Sequence, residues 1–583
     1  MELLDCRRLT GPNLLWDRPS VVMDIACEPG EALEIRPRLE AEVLRLHQCL
    51  GWGACDFSAR ARIGGLSLAF DGPIDRLYAG IALAEAAWQR CAGAADSRGS
   101  VIDGVIDGAV EEATDRVANH AIDDAIAAIR ERAAEEGNPA LLALQAAAGE
   151  HQAPFLWDDD AVSIGFGASA RTWPSRCLPQ VDEIDWAAPR RIPIALVTGT
   201  NGKTTTARMC AHILRAAGHR AGSCSTEGIW IDDQVLDSGD YAGPGGARAI
   251  LRHPEASAAV LETARGGLLR RGLAVEEADV ALVTNIAADH LGDFGSRSLD
   301  ELLQIKWVIS RAVRRGGTLV LNADDERLVA QARDYAGRIA WFSLDPDRRD
   351  IEFRPDDGWL IRERDGRRER LCRIDEIPLA LDGAARHNVA NALAAAAVCS
   401  QLGVGTEAIA AGLTRMRHED NPGRGNFYTV EGARVIVDFA HNPHAMAAIA
   451  ELVSALPAER RLLAFAQAGD RTDELLREYA RHAWALGPER IIISELAKYA
   501  RGRAPGEVYG ILRDELIRCG CPPDAIIHVD TEPQALDNAL AWARPGDLLV
   551  MLVLADAAAV RARLAGLEPQ GRTSSQPLSG GAP

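Results

Sequence analysis

The chain has 583 residues, with 64 lysines and arginines against 84 aspartates and glutamates and a net charge of −20. That acidic balance excludes nucleic acid and anionic membrane as main partners, and no run approaches the ~20 uninterrupted apolar residues of a membrane span. The length allows about three or four domains of ~150 residues, and twelve scattered cysteines without paired zinc spacing read as reduced thiols of a cytoplasmic protein.

The opening, Met1-Glu-Leu-Leu-Asp-Cys-Arg-Arg8, lacks the basic-then-apolar layout of a secretory leader. Residues 1–155 predict an α+β domain, with a strand at Val21–Ile25 and helical periodicity over Leu77–Ala92 and Ala118–Arg132. Within it, Arg8-Leu-Thr-Gly-Pro-Asn13 reads either as a ligand-binding segment or as a turn fixed by Pro12. Residues 156–189, which include Gly165-Phe-Gly167, read as a linker with one strand.

From 190 to 422, strands are expected at Ile192–Val197, Ala258–Leu261, Val280–Thr284, Thr318–Leu321 and Ile339–Ser343, with helical stretches between most of them. Such alternation implies a mostly parallel sheet covered by helices, with ligands at the carboxyl ends of the strands. A second series, Arg434–Phe439, Leu462–Ala466, Ile491–Ser494, Ile526–Val529 and Leu548–Val553, makes a smaller α/β domain over 423–566. The last residues, 567–583, rich in Ser, Gly and Pro, are expected to be disordered.

The first strand of the central series runs into Gly199-Thr-Asn-Gly-Lys-Thr204, and a helix is expected from Lys203 to Ala217. A strand, a tight glycine turn and a helix start bring backbone N–H groups and the positive helix end to one point, where a phosphate can sit. Lys203 adds a full charge and Thr204 a hydroxyl for Mg²⁺. Three later strand ends carry polar residues: Glu262-Thr-Ala-Arg265, Asn285-Ile-Ala-Ala-Asp-His290 and Asn322-Ala-Asp-Asp325. If these strands are neighbours, Glu262 and His290 converge near the loop as metal ligands.

Ser298-Leu-Asp-Glu301 is a capping box opening a helix expected to run to Arg315, where Gly316-Gly317 ends it. Lys306 falls inside that helix. Facing a cation site its ammonium has the wrong sign, and a carbamate formed from CO₂ would reverse the charge. Arg386-His-Asn-Val-Ala-Asn391 places Asn388 and Asn391 on one helix face, where their amides suit the edge of adenine. Asn421-Pro-Gly-Arg-Gly425 displays Arg424 in a turn, and Val437-Asp-Phe-Ala-His-Asn-Pro443 carries Asp438 and His441 at a strand end.

In this order the motifs resemble the Mur ligase superfamily of ATP-dependent amide-forming enzymes. Within it, Glu262-Thr-Ala-Arg-Gly-Gly-Leu-Leu-Arg-Arg-Gly272, Asp289-His-Leu-Gly292 and Arg501-Gly-Arg-Ala-Pro-Gly-Glu507 resemble the cyanophycin synthetases. Residues 1–155 look like the amino-terminal domain of those enzymes, and Ser163–Arg171 looks like the start of their ATP-grasp region, the bulk of which is missing here.

The resemblance implies a P-loop Mur-ligase central domain and a Rossmann-like carboxyl-terminal domain behind the α+β domain. It implies a ligase that joins an amino acid amine to a carboxylate of a peptide-like acceptor through an acyl phosphate, releasing ADP and phosphate. Thr200, Asn201, Gly202, Lys203, Thr204, Thr205, Asn388, Asn391, Arg424 and Asp438 would bind ATP. Thr204, Glu262, His290 and carbamylated Lys306 would hold two Mg²⁺ ions, with Lys203, His290 and Lys306 catalytic. Arg265, Arg270, Arg271, His441, Arg501 and Arg503 are candidates for the substrates. A separate ATP-grasp ligase is the expected partner, and a homo-oligomer the expected assembly. The rival readings are a peptidoglycan-type ligase and a non-catalytic ATP-binding partner.

Overall fold

The computed structural model describes residues 1–96, 123–289 and 298–567. His290, Gly292, the first part of the helix expected at Ala118–Arg132 and nearly all of the expected tail lie outside these residues. Chain contacts divide the molecule into two units, one of Met1–Ile194, Gly222–Ala278 and Gln304–Arg314, the other of Ala195–Ala221, Asp279–Leu303 and Arg315–Pro583.

The first unit opens with an antiparallel sheet in the order Glu2–Leu9, Ser20–Ala26, Gly65–Phe70, Phe57–Arg62. Strand residues alternate between faces, and Val21, Met23 and Ile25 point into one core with Ile35, Leu39, Val43 and Leu46 of the helix Pro29–Leu50. The helix Leu77–Asp96 adds Leu77, Leu83 and Ala87 to the same core. The opposite face is closed by Leu9, Leu15, Val22 and Ala69.

The stretch after this domain departs from the expectation of a linker with one strand. Phe155–Trp157, Ala161–Ile164 and Arg171–Pro174 form a three-stranded antiparallel sheet. Strands of three or four residues are too short to show a period, and the third is polar and half exposed. The unit continues through the hairpin strands Gly228–Ile231 and Gln234–Asp237, the helix Pro244–Arg252, the strand Ala258–Glu262 and the helix Arg265–Arg271.

In the second unit, Ile194–Thr198, Ala278–Val283, Val313–Asn322, Arg338–Phe342 and Phe353–Asp356 lie side by side, and Trp359–Arg364 and Arg367–Arg373 complete the row as antiparallel strands. The registers Val280↔Ala195 and Thr318↔Arg338 are parallel. The helix expected to reach Arg315 stops early: Leu299–Trp307 is α-helical, Val308–Ala312 is a 3₁₀ turn, and Gly316-Gly317 lie inside the strand Val313–Asn322. The β-branched Val308, Ile309 and Val313 favour that change over continued helix.

The carboxyl-terminal sheet has the order Asn426–Val430, Ala433–Asp438, Leu548–Leu552, Arg461–Phe465, Arg490–Ser494, Ile526–Val529, parallel except for its first pair. Both faces are buried. Ile436, Leu463 and Val550 enter one core with Tyr479 and Leu512, and Val435, Val437 and Met551 the other with Leu536 and Val560. Burial on both faces explains the near-continuous apolar runs that mark these strands in the sequence.

Candidate active site

The loop after Ile194–Thr198 turns on two glycines in conformations closed to other residues. Gly199 has φ 147°, and a Cβ there would lie 1.8 Å from Thr284 Oγ1; Gly202 has φ 82°, and its Cβ would lie 2.3 Å from Asn391 Oδ1. The helix Lys203–Ala216 starts at once, so its first N–H groups face the loop.

Neighbouring strand ends brace this cradle. Thr200 N–H donates to the Asn285 carbonyl at 2.9 Å, Asn201 N–H to Asn285 Oδ1 at 2.9 Å, and Thr284 Oγ1 and Asn285 Nδ2 both donate to the Asn201 carbonyl, at 2.6 and 3.1 Å. Behind them Asn322 Nδ2 donates to the Thr284 carbonyl at 3.1 Å, and Ile286 N–H donates to Asp325 at 2.6 Å. Lys203 Nζ donates to the Thr200 carbonyl at 2.9 Å, which curls its charge back over the turn.

The helix Arg386–Gln401, which carries the two asparagines expected at the edge of adenine, packs beside the loop helix. Asn388 Nδ2 donates to the Leu379 carbonyl at 2.9 Å and Asn391 Nδ2 to Asn388 Oδ1 at 3.1 Å, while Asn391 Oδ1 accepts from Thr206 at 3.3 Å. Both are buried and engaged within the chain, so they support the underside of the glycine turn. Asn421, buried in the turn before Arg424, donates to Thr205 Oγ1 at 3.3 Å.

The carboxyl-terminal domain reaches the same loop. Asn201 and Asn442 exchange amide hydrogen bonds of 2.9 and 3.1 Å, and His444 Nδ1 is 2.9 Å from Asn201 Nδ2. Arg424 lies 4.1 Å over the Phe439 ring. Burial raises the Asp438 carboxyl, while His387 and Arg424 work against that rise.

Asp289 takes His441 Nε2 at 3.2 Å and Arg471 Nη2 at 3.1 Å. The loop that carries Arg471 is held in turn by Arg503, which donates to the Gly469 and Arg471 carbonyls and pairs with Asp473 and Glu507. Arg503 thus braces this loop. Arg501, at φ 51°, extends toward the Tyr499 ring and is exposed.

In the first unit Glu262 ends its strand at 1% exposure, and its charge helps burial to raise the neighbouring Cys224 thiol. Lys306, inside its helix, is 4% exposed. Arg265 is buried at the start of its short helix, whereas Arg270 and Arg271 are exposed at the end. Among the described residues no three His, Cys, Asp or Glu side chains gather as a metal site.

Sequence reading passed over Arg471 and His444, and gave Asp325 and Thr284 no role although both stand in the strand ends it quoted. Arg471 follows a strand of the carboxyl-terminal series, and the strand-end rule that drew attention to Glu262, applied there, would have found it.

Residues 197–399 match the model of the Mur ligase middle domain, and residues 423–552 that of the Mur ligase, glutamate ligase domain. The chain belongs to the Mur ligase family. The chain is 37% identical over 374 residues to a cyanophycin synthetase of Trichormus variabilis, covering 62% of the chain and 41% of the relative. A cyanophycin synthetase of Crocosphaera subtropica is 36% identical over 380 residues, again 62% of the chain and 42% of the relative. The chain therefore spans about two fifths of the length of these relatives. A UDP-N-acetylmuramoylalanine–D-glutamate ligase of Dechloromonas aromatica is 32% identical over 233 residues, 39% of the chain and 46% of that protein. Among solved structures, E. coli FolC in complex with DHPP and ADP shares the fold, with a TM-score of 0.51 at 22% identity over 64% of this Mur ligase and 89% of that chain.

Proposed function

We propose that this Mur ligase is an ATP-dependent amide ligase that joins an amino acid amine to a carboxylate of a peptide-like acceptor. The observation that carries the reading is Asn201, whose backbone is braced by Thr284 and Asn285 and whose side chain is bonded to Asn442 and His444. One residue of the glycine turn thus ties the phosphate cradle to the carboxyl-terminal domain. The extent of likeness to cyanophycin synthetases favours this over a peptidoglycan-type ligase.

A carboxylate is a poor electrophile. Transfer of the γ-phosphoryl group of ATP to one of its oxygens, with ADP leaving, gives an acyl phosphate, and the amine then attacks the carbonyl carbon and expels phosphate. Lys203 and the N–H groups at the helix start would stabilise charge on the transferring group. Thr204 and Glu262 are oxygen donors of the kind Mg²⁺ prefers. With His290, and with Lys306 as a carbamate, they would hold the two ions, which neutralise phosphate charge when bound. The burial of Glu262 and Lys306 suits that role. Asp438 and Arg424 would contact the nucleotide, with Asn388 and Asn391 supporting the loop from beneath.

The sequence passes from the three-stranded sheet at 155–174 to the phosphate loop at 199 with no room for a second ATP-binding domain. We therefore assign any preceding ATP-grasp step to a separate ligase, and place the protein, as a homo-oligomer, in the cytoplasm where ATP and reduced thiols prevail.

The test is phosphate release with twenty amino acids against peptides bearing α- or β-carboxylates. Turnover is expected with one amine–acceptor pair, and Lys203→Ala should lower kcat by ~10²–10³. ATP binding without turnover on any pair would instead identify a non-catalytic ATP-binding partner.

A further inference from the structure

We infer that an arginine cluster centred on Arg248, within the first unit, is a binding site for the carboxylates of an acidic peptide. The inference rests on the ligase reading for its occupant, the acceptor, and on the cluster's own chemistry for its existence.

Four elements supply the cluster. Arg252, one turn after Arg248 on the helix Pro244–Arg252, is fully used: it donates to Ser163 Oγ at 2.7 Å, Asp158 Oδ2 at 2.6 Å and the Ala161 carbonyl at 2.9 Å. Arg8, only 6% exposed, pairs with Asp159 at 2.5 Å and lies 3.9 Å over the Tyr78 ring, whose hydroxyl donates to the same Asp159 at 3.0 Å. Arg132 lies 5.9 Å from the Tyr78 centroid. Both aspartates are consumed in holding Arg252 and Arg8.

Arg248 has neither. Among the described residues its one hydrogen bond runs from Nη2 to the Thr10 hydroxyl at 2.9 Å, and its Nε is buried without a hydrogen-bond partner there. Thr10 is itself fixed by donating its N–H to the Arg271 carbonyl at 2.8 Å, which places the opening segment of the chain against the end of the helix Arg265–Arg271. Burial, together with the like charges of Arg252, Arg8 and Arg271, pushes the Arg248 guanidinium down to about 10, with Asp158 opposing.

A guanidinium withdrawn from water is costly unless an anion faces it. Here the nearby charges are mostly of its own sign, in a chain whose net charge is −20. Such a positive focus attracts an anion that the acidic remainder of the surface repels. The planar fork of Arg248 suits a carboxylate in bidentate fashion, and exposed Arg271 offers a second fork for a neighbouring one. Several forks on one face suit a peptide with repeated carboxylates better than a single ion. The segment Arg8–Asn13, which the sequence left open between ligand binding and a turn, takes both parts: Asn13 caps the turn by accepting from Leu15 and Trp16 N–H, and Arg8 and Thr10 border the cluster.

The test is fluorescence anisotropy of a labelled hexa-aspartate peptide on the full chain. The wild type should bind, and Arg248→Met and the exposed Arg271→Met should each weaken binding tenfold or more, with Lys203→Ala binding as the wild type does. Unlabelled hexa-aspartate should displace the probe, and inorganic phosphate at equal concentration should not. Unchanged affinity in both arginine variants, or equal displacement by phosphate, overturns the site. Arg248→Met should melt no lower than the wild type, since it removes an uncompensated charge; a lower Tm would count against the strain argued here. If the peptide binds through Arg248 but no acceptor turns over, the ligase reading fails and the site stands. If turnover proceeds with the same KM for acceptor in Arg248→Met, the site fails and the ligase reading stands.

Discussion

At Asp289 one carboxylate serves two donors of the carboxyl-terminal domain, His441 and Arg471. The other ring nitrogen of His441, Nδ1, lies 3.0 Å from the Phe439 carbonyl. A carbonyl and a carboxylate can only accept, so both contacts are hydrogen bonds when the imidazole carries both protons. Asp289→Asn keeps the shape and removes the charge. Hydrogen bonds to charged groups contribute ~1.5–3 kcal/mol, so kcat/KM should fall by ~10–100-fold in steady-state assays of phosphate release. An unaltered kcat/KM would show that the contact is incidental. The sequence made part of this arrangement visible, because Asp289 and His441 stand in motifs at strand ends, but the pairing joins positions 152 residues apart and no local pattern encodes it.

Asp547 shows how elements are fastened in the carboxyl-terminal domain. It stands just before the strand Leu548–Leu552, accepts from Arg544 N–H at 2.7 Å, and is clasped by Arg460, which precedes the neighbouring strand Arg461–Phe465 and also reaches the Trp542 carbonyl at the end of a helix. Burial works to raise the Asp547 carboxyl, but the Arg460 guanidinium and the Arg544 N–H outweigh it and hold it below the usual carboxylate range. A depressed folded value means that the stabilisation is present above the unfolded carboxylate value of about 4 and is lost as pH falls below it. Melting curves from pH 6 to 3 should therefore show a steeper fall in Tm for the wild type than for Asp547→Asn, which starts lower. Parallel profiles would refute the linkage. Elements of this domain were legible because both faces of each strand are apolar. Those missed elsewhere were short or polar, such as Gln234–Asp237, all four of whose residues are exposed.

On the scale of the whole molecule, the alternation of strands and helices in the sequence announced the two α/β sheets, and the order of polar strand ends announced the family. The arginine cluster was not legible, since its members come from residues 8, 132, 248, 252 and 271 and acquire meaning only when folding brings them together. The small sheet at 155–174 has a further consequence. It is bound to the helix Pro244–Arg252 through Arg252 with Asp158 and Ser163, yet the residues that follow it, 175–191, are mostly exposed and hold only one short 3₁₀ turn. Trypsin should find Arg176 or Arg190 there. The two pieces should then elute together from a sizing column and separate only in denaturant, because the fragment before the nick is still laced to the one after it. Early separation would mean that the lacing is too weak to count. In mechanical terms the backbone at this point is a seam and not a strut: within the first unit, the stretch before residue 175 is stitched to the helices Pro244–Arg252 and Arg265–Arg271 by bonds such as those of Arg252 and Thr10, so the covalent thread could be cut or spliced there without parting them.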